Sequence, residues 1–508
     1  MKKIEPKNII SSIENTPLHF GSAIGLLIAA ILLRTFLEVV IGVGRMTTLS
    51  ALLLHYPMFY ISIFTTIILV FRIFSGENLQ KVFKILALFF CIIIIPPIVD
   101  LLIFGAGGFH PKYIFLQNAR PVNILHKFAT FIFAPPTQTG ITPGMRIEIV
   151  LAIIGTFIYI FEKTRSVLRS LAAAIAMYII IFCYAIQPTA YSWLRNLPYI
   201  IGFAREGHLS WAGFWMIFII LQFPLVMLTW GIKRFHAIIE KLSPLWMFHF
   251  LAMTLLGLWI GIEGKLDIIQ RIDFYDLIFA IPAIAFAYIF SVFIDYRSSH
   301  NSTNINKSND KITMLELSWL SGFYLFVSLM NAAQVNERFF FIILSFLSIR
   351  WLHLAPPARL NRIPILSAAM KTLASISLIY GGIVLAGRYP LAFPKNFAIA
   401  LSIAYMLAFT AEEIKQTIYS KKFTDGKHRS RSIVKILIGI ISASAFFIVP
   451  ISLGIKSTAP IFLSIISAGI VFVIGFTSSN RKPIIVVYLL NFIAWAVFFR
   501  DILQNSVF

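Results

Sequence analysis

Apolar runs follow one another along this chain, each about 17–25 residues long and divided from the next by a short polar or basic stretch. Residues 51–70 and 365–386 are typical. A run of this length spans the hydrocarbon core as a helix. In lipid, only α-helices and closed barrels satisfy every backbone N–H and C=O. The runs are continuously apolar and lack the in-out alternation of a barrel strand, which leaves helices. An all-α polytopic membrane protein follows. Composition agrees: 13% of the residues are charged and 59% hydrophobic, whereas soluble domains carry roughly 25% charged residues.

About fifteen spans are expected on this criterion. Six lie at 21–43, 51–70, 82–104, 145–161, 168–187 and 209–230. The rest lie at 247–262, 275–294, 315–331, 339–352, 365–386, 397–419, 433–453, 459–476 and 483–499. The basic, proline-containing stretch after the sixth divides the chain into an N-terminal six-helix module of no recognised family, 1–243, and a nine-helix domain, 244–508. The formal charge of +22 would suggest nucleic acid in a soluble protein. Here the lysines and arginines gather in alternate short loops, which is the positive-inside pattern. Nucleic acid is therefore not an expected partner. The pattern places the N-terminus in the cytoplasm and the chain in the cell membrane, with anionic lipids as the partner of the basic loops. Cys91 and Cys183 lie within apolar runs and have no metal-ligand spacing. Neither a nucleotide-binding glycine loop nor a His-Glu-x-x-His zinc motif occurs.

Ionisable residues within spans are functional candidates. Arg34 and Glu38 stand one helical turn apart and can neutralise each other. Arg146 and Glu148, near a span end, can pair or snorkel. His249 is read as a packed polar residue, and Asn331, Asn336 and Glu337 as caps at a helix end. The stretch 105–143, with His110, Arg120 and His126, is long for a plain connection and serves either as a lid or as a cap over helix ends.

The stretch 351–364 carries three prolines, His353, Arg359 and Arg362 between two apolar runs. Proline fixes φ and removes a donor, so one helix must end here before another begins. The guanidinium fork matches phosphate oxygens, which makes both arginines candidate phosphate ligands. A plain basic loop that sets topology has the same composition.

With the sequence His353-Leu354-Ala355-Pro356-Pro357-Ala358-Arg359-Leu360-Asn361-Arg362, the C-terminal part resembles the UbiA superfamily of intramembrane prenyltransferases. That family commonly reads Tyr-Ser-x-Pro-Pro-x-Arg-Leu-Lys-Arg in this loop. The proline pair and both arginines match; His353 replaces the tyrosine and Asn361 the lysine. The family has nine spans, with signature loops after the second, fourth and sixth. The flanking loops match less well. Ile294-Asp295-Tyr296-Arg297-Ser298 keeps one carboxylate of an Asn-Asp-x-x-Asp-x-x-x-Asp motif, and Asp425 stands alone in the loop after the sixth span. Glu412 and Glu413 lie upstream, within that span.

The resemblance implies prenyl transfer from a polyprenyl diphosphate to a lipophilic acceptor. Asp295 and Asp425 would be the ligands of Mg²⁺, with most of the family's carboxylates missing. Arg359, Arg362, Lys421 and Lys422 would hold diphosphate. Ionising an allylic diphosphate needs stabilisation of the leaving charge, which Mg²⁺ or fixed cations can supply. Two alternatives stay open: a catalytically inactive UbiA-fold subunit that binds an isoprenoid or other lipid, and a membrane lipid transporter.

Overall fold

In the computed structural model the described residues are 6–16, 20–40, 54–105, 121–133, 141–186, 208–231, 236, 238–240, 242–262, 274–300, 314–387, 395–420, 436–441, 443–446, 448 and 458–477. Every regular element among them is a helix. Eight of the described helical stretches are long and apolar enough to cross a membrane, so the chain is a helical membrane protein. The span expected at 483–499, and part of that at 433–453, lie outside the described residues. The chain forms two compact units, Met1–Ile239 and Glu240–Phe508.

The first unit contains α1 (Pro6–Asn15), α2 (Phe20–Val40), α3 (Tyr56–Ser75), α4 (Leu79–Phe89), α5 (Ile95–Phe104), α6 (Pro121–Thr130), α7 (Pro143–Thr164), α8 (Val167–Ala185) and α9 (His208–Trp230). α4 and α5 make one membrane-length stretch joined by a 3-10 segment, Phe90–Ile94. Pro96 and Pro97 explain the joint. Neither has an N–H to continue the α-helical ladder, but both are tolerated in the first turn of a new helix. α3 ends at Gly76, whose φ of +70° suits a residue without Cβ. Asn78 Oδ1 then caps α4 by accepting the Gln80 N–H at 3.1 Å.

Within the stretch 105–143, Phe128 of α6 and Phe131 in the turn that follows it pack on Phe182 and Tyr178 of α8. His126 lies on this helix, whereas His110 and Arg120 fall outside the described residues. Arg146 and Glu148 do not form the pair considered from sequence: the Glu148 carboxylate faces Arg34 of α2. Two residues along a helix are about 200° apart, which turns these neighbours to different sides.

At the opposite end of α7, buried Glu14 of α1 meets Lys163 at 2.5 Å and accepts the Tyr159 hydroxyl at 3.1 Å. Glu77, between α3 and α4, meets Lys81 at 3.2 Å and Lys163 at 3.5 Å. Partial burial opposes ionisation of Glu77, but the hydrogen bonds and charges of Lys81 and Lys163 outweigh it and hold the carboxyl below the usual glutamate range. A depressed carboxyl pKa contributes stability above the unfolded value and loses it as pH falls through the folded value. Thermal unfolding scans in detergent are therefore expected to show acid destabilisation starting near the ordinary glutamate pKa, about 4.3. Glu77→Gln is expected to weaken that acid limb while lowering stability at neutral pH.

The second unit contains α10 (Pro244–Gly261), α11 (Phe274–His300), α12 (Met314–Val335), α13 (Glu337–Leu354), α14 (Pro364–Leu385), α15 (Lys395–Ser420) and α16 (Thr458–Thr477). α14 lies against α10, α13 and α15. Its approach to α10 is set by glycines. A Cβ on Gly257 would overlap the Ile379 backbone, and one on Gly382 would overlap the backbone of Thr254 and Leu258. Gly257 and Gly261 form a G-x-x-x-G step, the small-residue spacing that lets membrane helices meet backbone to backbone. Asn336 caps α13, its Oδ1 accepting the Phe339 N–H at 2.8 Å. Asn331 is no cap: it is buried within α12 and its Nδ2 donates to the Val327 carbonyl at 2.7 Å.

Candidate functional site

The proline-rich stretch separates two helices, as its composition requires. α13 stops at Leu354 and α14 starts at Pro364, which occupies the first turn where a missing N–H costs nothing. Between them the exposed Pro356-Pro357 pair leads into a 3-10 turn, Leu360–Arg362, containing Asn361. Arg359 has φ of +40°, the left-handed region. A residue with a Cβ is strained there by about 1–2 kcal/mol relative to glycine. Its N–H donates to the Ala355 carbonyl at 2.9 Å and its carbonyl accepts the Arg362 N–H at 3.2 Å. Arg362 is exposed and Arg359 half-buried.

Beneath this loop lies a buried polar chain. His353 belongs to the last turn of α13 and is only 3% exposed. Arg350, one turn earlier, places Nη1 at 3.2 Å from His353 Nδ1. Guanidinium only donates, so Nδ1 accepts and the imidazole proton sits on Nε2. Nε2–H then donates to Ser367 Oγ at 2.9 Å, and the Ser367 hydroxyl donates to Glu413 Oε1 at 2.8 Å. Lys371, one turn after Ser367 on α14, meets Glu413 Oε1 at 2.5 Å and Glu412 Oε2 at 3.3 Å. The ammonium also lies over the rings of Trp246 and Phe409, at 5.3 and 5.8 Å from their centroids. Arg350 Nη2 reaches Ser291 Oγ of α11 at 3.3 Å, while its buried Nε has no hydrogen-bond partner.

The direction of this chain is fixed at both ends. Arg350 cannot accept and the ionised carboxylates cannot donate, so the series Arg350, His353, Ser367, Glu413 does not reverse. It holds positions and does not conduct protons. Its two cations and two carboxylates balance, which is the condition for keeping ionised groups within a helical membrane bundle. His249 of α10 extends it: its Nε2 lies 3.1 Å from Ser375 Oγ, whose hydroxyl donates to the Lys371 carbonyl at 3.0 Å. His249 is thus packed and hydrogen-bonded, as its apolar setting suggests.

Of the residues expected to form a site, His353, Pro356, Pro357, Arg359, Asn361 and Arg362 come together at this loop. Asp295 is exposed near the end of α11 and contributes a favourable field at Arg350. Lys421, Lys422 and Asp425 lie outside the described residues. A Mg²⁺ site needs several oxygen ligands. Among the described residues no group of three or more His, Cys, Asp or Glu side chains is placed to hold a metal ion.

Arg350, Ser367 and Lys371 are not evident from the loop motif. The available signal was charge: Lys371 within one apolar run and Glu412-Glu413 within the next, which lipid requires to be matched across helices. No family model, curated protein or solved structure matches this chain.

Proposed function

We propose that the second unit is a UbiA-like membrane prenyltransferase domain, which takes the diphosphate of a polyprenyl lipid at the Pro356–Arg362 loop and passes the prenyl group to a lipophilic acceptor. The observation that carries the reading is Arg359. It occupies a backbone conformation that glycine would adopt without strain, at the rim of a buried charged chain and beside exposed Arg362. Strain kept at such a point is accounted for by what the side chain does. Two guanidinium groups there supply fixed positive charge to the phosphate oxygens, and the chain below fixes the helix ends that carry the loop. Lys421 and Lys422, which lie outside the described residues, would add to this charge under the resemblance.

A second reading, an isoprenoid-binding subunit without turnover, is favoured by one observation. Glu412 and Glu413 are both tied to Lys371, and Glu413 also to Ser367, so their charge is spent within the protein. Assay of the purified full chain in nanodiscs with a labelled polyprenyl diphosphate and lipophilic acceptors separates the two. Prenylated product is the expected result, and its persistence with EDTA would assign the leaving-group charge to the arginines and lysines. Stable binding of the labelled donor with no product would establish the second reading instead.

A further inference from the structure

In the first unit, α2 and α7 bring three ionisable side chains together away from the polar network at the Glu14 end of the unit. Arg34 Nε meets Glu38 Oε1 at 3.1 Å, and Arg34 Nη1 meets the two oxygens of Glu148 at 3.1 and 3.3 Å. The Arg34 side chain is 6% exposed, and its guanidinium carbon sits 5.1 Å from the centre of the Tyr60 ring of α3. Large apolar side chains flank the carboxylates and face outward on both helices: Leu33 and Phe36 on α2, Ile147 and Leu151 on α7. Ile147 and Leu151 belong to a helix long and apolar enough to cross a membrane.

The charges do not balance. One guanidinium faces two carboxylates, and a carboxylate without a matching cation takes up a proton where the surroundings are apolar. Among the described residues, the following contacts of the neighbouring elements bring no second cation to either carboxylate. On α3, Arg72 donates to the Thr229, Gly76 and Glu77 carbonyls. On α4, Lys81 pairs with Glu77, and Lys84 donates to the Glu14 carbonyl. Cys91 of the 3-10 segment donates to the Ala87 carbonyl. Asp100 of α5 accepts the Gly144 N–H at 2.8 Å and adds negative charge near the start of α7. Arg146 stands two residues from Glu148 and so on another side of α7, and Lys163 and Glu162 lie at that helix's far end. On α8, Tyr178 donates to the Phe128 carbonyl and Arg169 sits in the first turn, at the end away from Tyr178.

We infer that Arg34, Glu38 and Glu148 form a binding site for one proton, held by whichever glutamate Arg34 engages less. The proton comes from bulk water and returns to it, and its transfer moves the ion pair of Arg34 between α2 and α7. A site of this kind suits a proton-coupled motion of the first unit, independent of any chemistry in the second.

Infrared difference spectroscopy on the full-length protein, with and without Glu38→Gln or Glu148→Gln, tests this. The wild type is expected to show the carbonyl band of a protonated carboxylic acid. Either single substitution is expected to abolish it, because the remaining glutamate pairs with Arg34 and ionises. Each should leave thermal stability nearly unchanged, since glutamine resembles the protonated acid, whereas the double variant, with Arg34 unpaired, should unfold well below the wild type. Glu413→Gln is expected to leave the band in place. A band unaffected by both single variants would overturn the proposal. So would its absence from the wild type, or its appearance only once sodium and potassium are removed, which would make the site an alkali-cation site.

Discussion

Lys371→Met is expected to destabilise the second unit by about 3–5 kcal/mol, the cost of removing one member of a buried ion-pair network. The ammonium pairs with both Glu412 and Glu413, and all three groups lie among helices instead of at a surface. Methionine keeps much of the volume and the contact with Trp246, so loss of packing contributes little. The expected signature is specific. Adding Glu412→Gln and Glu413→Gln to Lys371→Met should recover part of the lost stability, because both carboxylates that face the missing ammonium lose their charge with it while Arg350 keeps its own. Chemical unfolding in detergent, followed for the four combinations, gives the coupling. Equal destabilisation with and without the glutamine substitutions would mean that Lys371 acts through packing alone.

Gly257→Leu is expected to have the other large effect. A Cβ there already overlaps the Ile379 backbone, which has no rotamer with which to yield. Overpacking a tight contact costs typically about 1–3 kcal/mol for a few added atoms, so Gly257→Ala should show that loss and leucine a larger one, seen as poor recovery of folded protein. The consequence reaches the site: α14 carries Ser367, Lys371 and Ser375, while α10 carries Trp246 and His249. Gly25→Ala in α2, where a Cβ meets nothing within 4 Å, is the matched control and should be tolerated.

Much of the helical architecture was legible because lipid leaves few choices. The apolar runs at 339–352 and 365–386 become α13 and α14, and the prolines between them mark the break. The joint at Pro96-Pro97 was legible for the same reason. Partner choice was not. Nothing local to Glu148 says that it faces Arg34, more than one hundred positions away, in preference to Arg146, which is two residues distant. In the candidate site, the loop arginines announced themselves through residue type and proline spacing. The chain below them did not, since Ser367 becomes informative only when α14 brings it to His353 of α13. Gly257 and Gly261 carried a readable packing signal that the span count alone ignores.

Mass spectrometry of the lipids retained by purified wild-type and Arg359→Gly protein tests whether the second unit takes a phosphate-headed isoprenoid at the Pro356–Arg362 loop. Glycine relieves the left-handed strain at this position, so the variant should be at least as stable as the wild type. A polyprenyl phosphate or diphosphate is expected to accompany the wild type and to be lost from Arg359→Gly, and further from the variant that also carries Arg362→Gln. Retention of only ordinary phospholipids by the wild type, or equal retention of the isoprenoid by all three proteins, would contradict binding at this loop.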